Sequence, residues 1–101
     1  MSLLHLDKST FDTEIKEGKT LVDFWAPWCG PCRMLGPVIE SMAEGRTDGV
    51  KIAKVNVDEN PEIAQRFRVY SIPTLILFEN GVATKQTVGF QSREKLEDFI
   101  K

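Results

Sequence analysis

Apolar and polar residues alternate along this chain with two periods, and the switches between them predict nine elements. Leu3 to Leu6 reads as a short edge strand. Ser9 is placed to cap a helix from Thr10 to about Glu17, with Phe11 and Ile15 on its inner face and Gly18 ending it. Thr20 to Ala26 is β-rich and almost continuously apolar, as expected of a central strand buried on both faces. Leu35, Val38, Ile39, Met42 and Ala43 then fall on one face of a helix, with Pro37 predicted to kink it and Gly45 to end it.

Lys51 to Val57 alternates again, placing Ala53, Val55 and Val57 on one face. Asn60 and Pro61 read as a cap and a first-turn proline opening a short helix to about Phe67. Thr74 to Phe78 is a strand, Asn80-Gly81 a hairpin turn, and Val82 to Val88 the returning strand. Ser92 caps a last helix that turns Leu96, Phe99 and Ile100 inward. The order βαβαβα followed by ββα predicts an α/β fold. Its sheet is mixed and five-stranded, with the first strand at an edge, a parallel core and a C-terminal antiparallel hairpin, and four helices cover both faces.

The chemistry lies where the central strand meets the long helix, at Cys29-Gly30-Pro31-Cys32. This places Cys29 at a helix N-terminus, where free N–H groups and the helix dipole favour an anion. The thiolate is the reactive form, so Cys29 is the expected nucleophile. Cys32, one turn further in, is the expected resolving thiol, which attacks a mixed disulfide and releases the reduced partner. Pro31 pre-sets the first turn, and Gly30 leaves room for a partner backbone. A purely structural disulfide closing so short a loop would constrain the unfolded chain little. Structural zinc wants four ligands, and the chain offers two cysteines and one histidine, His5.

Asp23 stands in the middle of the apolar run Leu21 to Ala26, where a carboxylate is costly and its pKa should rise. Lys54 interrupts the next strand in the same way. If the two strands are neighbours, these side chains share one buried polar pocket. Two roles stay open: a merely structural pair, or a proton acceptor, Asp23, serving Cys32.

Composition narrows the field without naming a function. The chain has 101 residues, 42% of them hydrophobic, enough for one domain spanning 1–101 with its own core. The net charge is −2 with no long run of one sign, so no nucleic-acid partner is expected. No apolar stretch reaches the length of a membrane span, so no membrane partner is expected either. The start Met1-Ser2-Leu3-Leu4-His5-Leu6 lacks the pattern of a signal peptide and is read as a native start, which predicts a cytoplasmic location.

The run Trp25-Ala26-Pro27-Trp28-Cys29-Gly30-Pro31-Cys32 resembles the signature of the thioredoxin family. The resemblance extends along the chain, through Val22-Asp23-Phe24, Pro37, Val57-Asp58, Asn60-Pro61, Ile72-Pro73-Thr74, Phe78, Asn80-Gly81 and Gly89. It implies a thioredoxin fold and a general protein disulfide reductase working through Cys29 and Cys32, with Asp23 as buried proton acceptor and Lys54 beside it. It also implies that Trp25 and Trp28 pack around the site and that Ile72-Pro73 carries a cis peptide facing the cysteines. Trp28, Gly30, Pro31, Ile72, Pro73, Gly89 and Phe90 would form the apolar surface that docks partner chains. Such proteins bind no cofactor or metal of their own. They are recharged by thioredoxin reductase, a flavoprotein drawing on NADPH, and serve ribonucleotide reductase, peroxiredoxin and methionine sulfoxide reductase. A monomer is expected. Ser71, where many members have glycine or alanine, and the bulky Tyr70 and Phe90 depart from the usual pattern near the docking surface, which bears on partner preference.

Two other classes share these features. An oxidase or isomerase of secreted proteins usually carries a histidine between its cysteines, where this chain has Gly30-Pro31. An assembly factor with incidental thiols is compatible with the motif.

Overall fold

The computed structural model describes residues 2–101; the start at Met1 lies outside the described residues. In chain order they form β1 (Leu4–Leu6), α1 (Phe11–Ile15), β2 (Lys19–Trp25), α2 (Gly30–Ala43), β3 (Lys51–Asn56), α3 (Pro61–Arg66), β4 (Thr74–Glu79), β5 (Val82–Val88) and α4 (Arg93–Phe99). The strands make one sheet in the order β1-β3-β2-β4-β5. β1 and β2 both run parallel to β3, while β4 runs antiparallel to β2 and to β5. The mixed sheet with an edge β1 and a C-terminal hairpin is therefore as the pattern predicts, and β2 is its middle strand.

Alternation sorts the side chains of β2 between two cores. Val22 and Phe24 join Leu6, Ala53, Val55, Ile76 and Phe78 beneath Phe11 and Ile15 of α1 and Ile63 of α3. Leu21 joins Ile52, Leu75 and Leu77 beneath Leu35, Ile39 and Met42 of α2 and Leu96 of α4. Helices thus cover both faces. In the first core Phe11 and Phe78 meet edge to face at 5.6 Å and Phe67 and Phe78 at 5.1 Å, a geometry that adds to plain area burial. Truncating such a ring to alanine costs about 3–5 kcal/mol.

Two caps differ from expectation. Ser9 does not cap α1, whose first residue is Phe11 rather than Thr10. The acceptor is the Asp7 carboxylate, which takes bonds from the Ser9 amide at 2.8 Å, the Thr10 amide at 3.1 Å and the Ser9 hydroxyl at 2.6 Å. A charged acceptor two residues ahead outcompetes a hydroxyl for the same donors. Asn60 stands at the N-cap position of α3 but makes no cap bond. It is buried, and its amide is engaged elsewhere: Oδ1 accepts from the Lys8 amide at 3.2 Å, and Nδ2 donates to the Asn56 carbonyl at 3.1 Å. Ser92 caps α4 as expected, accepting from the Lys95 amide at 3.2 Å. α2 continues through Pro37 rather than stopping there.

The hairpin turn needs positive φ at both central residues, and Asn80 and Gly81 supply 52° and 86°. Beyond it the register skips Thr84, pairing Leu77 with Lys85 and Phe78 with Ala83. This bulge falls on the exposed edge strand, where such irregularities discourage pairing with another chain.

Candidate active site

β2 ends at Trp25, the chain turns at Pro27 and Trp28, and α2 begins at Gly30, so Cys29 is the helix N-cap. Its φ and ψ of −89° and 114° are extended, as an N-cap requires. The Cys32 amide points at the Cys29 sulfur from 3.2 Å. In ordinary helices a serine or aspartate oxygen occupies this place; here a sulfur does. The two cysteines are joined as a disulfide, with Cα atoms 5.2 Å apart. Cys29 is 5% exposed and Cys32 2%, so the expected order of accessibility holds by a small margin. In the dithiol form the Cys29 S–H can donate to the Ile72 carbonyl, whose oxygen lies 3.7 Å from the sulfur.

Ile72-Pro73 is cis, as the resemblance implies. Pro73 is buried and its carbonyl accepts from the Gly89 amide at 2.8 Å, which ties the end of β5 to this segment. Gly89 has a φ of 96°, a conformation open to glycine and strained for other residues. Ala26 and the two cysteines form a small cluster with Trp25, Val57 and Ile72 packed against it. Trp28, next to Cys29 in the chain, is 67% exposed, and Tyr70 and Phe90, near Ile72 and Gly89 in the chain, are exposed at 84% and 45%. A Cβ added at Gly30 would meet only the end of the Arg33 side chain at 3.9 Å, so the approach to Cys29 from that side is open.

Asp23 is fully buried, and neither carboxylate oxygen has a hydrogen-bond partner. It lies two residues from Leu21 and shares its face, so it points to the side of the sheet covered by α2, the helix carrying Cys32. Lys54 is its register partner on β3. Burial pushes the Asp23 carboxyl up to about 7, against a smaller downward pull from the Lys54 charge. The Lys54 ammonium sits over the Trp25 ring, 4.2 Å from its centroid, so the lysine is held by an aromatic face.

The structure thus gathers Cys29, Cys32, Gly30, Pro31, Trp28, Ile72, Pro73 and Gly89 around one disulfide, and sets Asp23 and Lys54 together in the sheet. Asp58 escaped the sequence reading as a partner of Trp28. Its carboxylate accepts from the Trp28 indole N–H at 3.0 and 3.2 Å. The contact joins residues 30 apart in sequence, and no local pattern announces it. Among the described residues, no cluster of three or more His, Cys, Asp or Glu is gathered for a metal ion. None of the described helices is long and apolar enough to cross a membrane.

A family model named thioredoxin matches residues 2–101. The chain is 54% identical to a thioredoxin of Alicyclobacillus acidocaldarius over 93 residues, covering 91% of this chain and 89% of that protein. It is 42% identical to the Bacillus subtilis thioredoxin over 100 residues, covering 99% and 96%. A solved structure of a mutant thioredoxin from Halobacterium salinarum superposes with a TM-score of 0.89 at 40% identity, covering 98% of this chain and 88% of that one.

Proposed function

The chain belongs to the thioredoxin family and is a thiol–disulfide oxidoreductase that reduces disulfides through its cysteine pair, and from that premise we propose a role for each residue of the site. The observation that carries the proposal is the Cys29–Cys32 disulfide at the start of α2, with its first sulfur facing a free helix amide and a buried carboxylate on the face beneath.

In the reduced protein Cys29 loses its proton and its thiolate attacks one sulfur of a client disulfide. The client's S–S bond breaks, one client thiolate leaves, and a mixed disulfide joins the client to Cys29. Cys32 then attacks the Cys29 sulfur while its proton passes to the Asp23 carboxylate. The second client thiolate leaves, and the chain is left oxidised. Two electrons have gone to the client, which ends as a dithiol. A carboxylate titrating near neutrality suits this task, because it can take the proton and give it back at the working pH. Lys54 steadies the ionised form. Pro31 and Gly30 set the turn, and Trp28, Ile72, Pro73, Gly89 and Phe90 receive the client chain.

The oxidised protein must regain two electrons from a redox partner. The family points to thioredoxin reductase as that partner, and to ribonucleotide reductase, peroxiredoxin and methionine sulfoxide reductase as clients. The chain works as a single-domain cytoplasmic monomer with no bound cofactor. Insulin reduction by dithiothreitol-charged protein tests the core of this reading. Cys29→Ser should abolish turnover, and Cys32→Ser should trap client chains as mixed disulfides on Cys29. Trapping on Cys32 in the Cys29→Ser variant would reverse the assignment.

A further inference from the structure

The register of β1 on β3 and of β2 on β3 sets His5, Lys54 and Asp23 side by side in one row across the sheet. Register partners project to the same face. Here it is the α2 face, since Asp23 lies two residues from Leu21 and Lys54 two from Ile52, both in the core beneath that helix. The row grades from a fully buried carboxylate through a half-buried ammonium to an exposed imidazole at the sheet's edge.

Asp23 has one polar way out. Its register partner on the other side is Leu75, which can carry no proton. Neither of its oxygens is engaged by the protein. At the outer end of the row lies a pocket of about 210 Å³ lined by His5, Asp7, Trp25, Lys54, Asn56 and Glu59, roomy and polar enough for several waters. The Lys54 ammonium forms no ion pair among the described residues and rests on Trp25, so the side chain that separates Asp23 from the pocket is held without being locked to a carboxylate.

We propose that this pocket is the port through which Asp23 exchanges protons with solvent, and that His5 is the proton relay at its mouth. The proposal rests on Asp23 being the proton acceptor for Cys32. After Cys32 has given up its proton, the Asp23 O–H bond breaks and the proton passes to water in the pocket. The His5 ring takes it on one nitrogen and releases one to bulk solvent from the other, so no net charge accumulates and no electrons move. The Lys54 charge steadies the carboxylate left behind.

The test is multiple-turnover insulin reduction with excess dithiothreitol recharging the protein, near neutral pH, first in dilute buffer and then with added imidazole. His5→Ala and His5→Gln should each lower kcat several-fold in dilute buffer, with KM unchanged. Imidazole, small enough to replace the missing ring, should restore the rate, and the unaltered protein should respond little to it. Equal rates for all three proteins in dilute buffer would overturn the port, as would a slow His5 variant that imidazole leaves slow. Asp23→Asn separates the two levels of the argument. If it is slow and indifferent to imidazole while the His5 variants run at full rate, the port alone fails. If Asp23→Asn itself runs at full rate, the acceptor role fails and the port falls with it.

Discussion

Asp23 and Lys54 are direct register partners on adjacent parallel strands, yet the lysine ammonium lies on the Trp25 ring and the aspartate oxygens accept no hydrogen bond. The carboxylate is therefore buried without the bonds that normally offset the loss of water. A group kept in that condition destabilises the fold when it is charged.

This gives a pH dependence of definite sign. The Asp23 carboxyl titrates near 3.9 when unfolded and at about 7 when folded. Between those values the native protein holds a proton that the unfolded chain has lost. The stability contributed at this site is full below about 3.9 and is lost as pH rises through about 7. Asp23→Asn removes the ionisation and should raise stability at pH 8 by about 1–3 kcal/mol, with the gain shrinking toward pH 4. Urea midpoints at the two pH values check this. A variant less stable than the parent at pH 8 would mean that Asp23 is held by interactions its amide cannot keep.

The caps give a sharper contrast. Ser92→Ala should cost about 1 kcal/mol, because the Lys95 amide at the start of α4 loses its acceptor. Ser9→Ala should fall within about 0.5 kcal/mol, since the amides ahead of α1 stay bonded to Asp7. Asp7→Ala should lower the melting temperature more than Ser9→Ala does. Thermal melts of the three variants decide the matter, and a larger loss at Ser9 than at Asp7 would restore Ser9 as the cap.

The difference between the two serines shows what a sequence reveals and what it hides. Ser92 and Ser9 look alike as N-cap candidates, and only the carboxylate of Asp7 separates them in space. β2, β3, β4 and the long helix were legible because their apolar patterns run through elements of six or more residues, and β5 because the Asn80-Gly81 turn announces it. Asp23 was legible for the opposite reason, as one charge breaking such a run. Asn60 holds the N-cap position as read, but its side chain makes no cap bond because its partner, the Lys8 amide, lies 52 residues away. Asp58 was invisible as a partner of Trp28 for the same reason. Contacts set by the meeting of distant loops leave no local period, and the active site is where such loops meet.

Trp28 shows how one of these contacts should register in function. Its ring is 67% exposed beside the cysteines, and its indole N–H is anchored on Asp58. A charge-assisted bond of this kind fixes the ring's orientation before a client arrives, which lowers the ordering cost of docking. Asp58→Asn weakens the acceptor and should raise KM for insulin a few-fold with little change in kcat, and Trp28→Ala should raise it further. Steady-state kinetics of both variants provide the check; a fall in kcat at constant KM would place the pair in the chemical step instead.

The two cysteines should differ far more in reactivity than in exposure. At 5% and 2% exposure, access alone separates them little. Their electrostatic settings differ: the Cys29 sulfur sits at the N-cap of α2 and faces the Cys32 amide at 3.2 Å, whereas Cys32 lies within the first turn. In the reduced protein that N–H and the helix dipole stabilise a thiolate on Cys29 and lower its pKa. Cys32 faces the interior and shares its side of the sheet with Asp23, so forming a second thiolate there means placing an anion in a buried setting beside an acid. Limiting iodoacetamide at neutral pH should therefore label Cys29 well before Cys32, with mass mapping of the alkylated peptide as the readout. The rate at Cys29 should level off at a pH below the thiol reference of about 8.5. Asp23→Asn should widen the gap between the two cysteines, since Cys32 loses the acceptor for its proton. Preferential labelling of Cys32, or a gap unchanged by Asp23→Asn, would show that the helix terminus and the buried carboxyl do not divide the work between the two thiols.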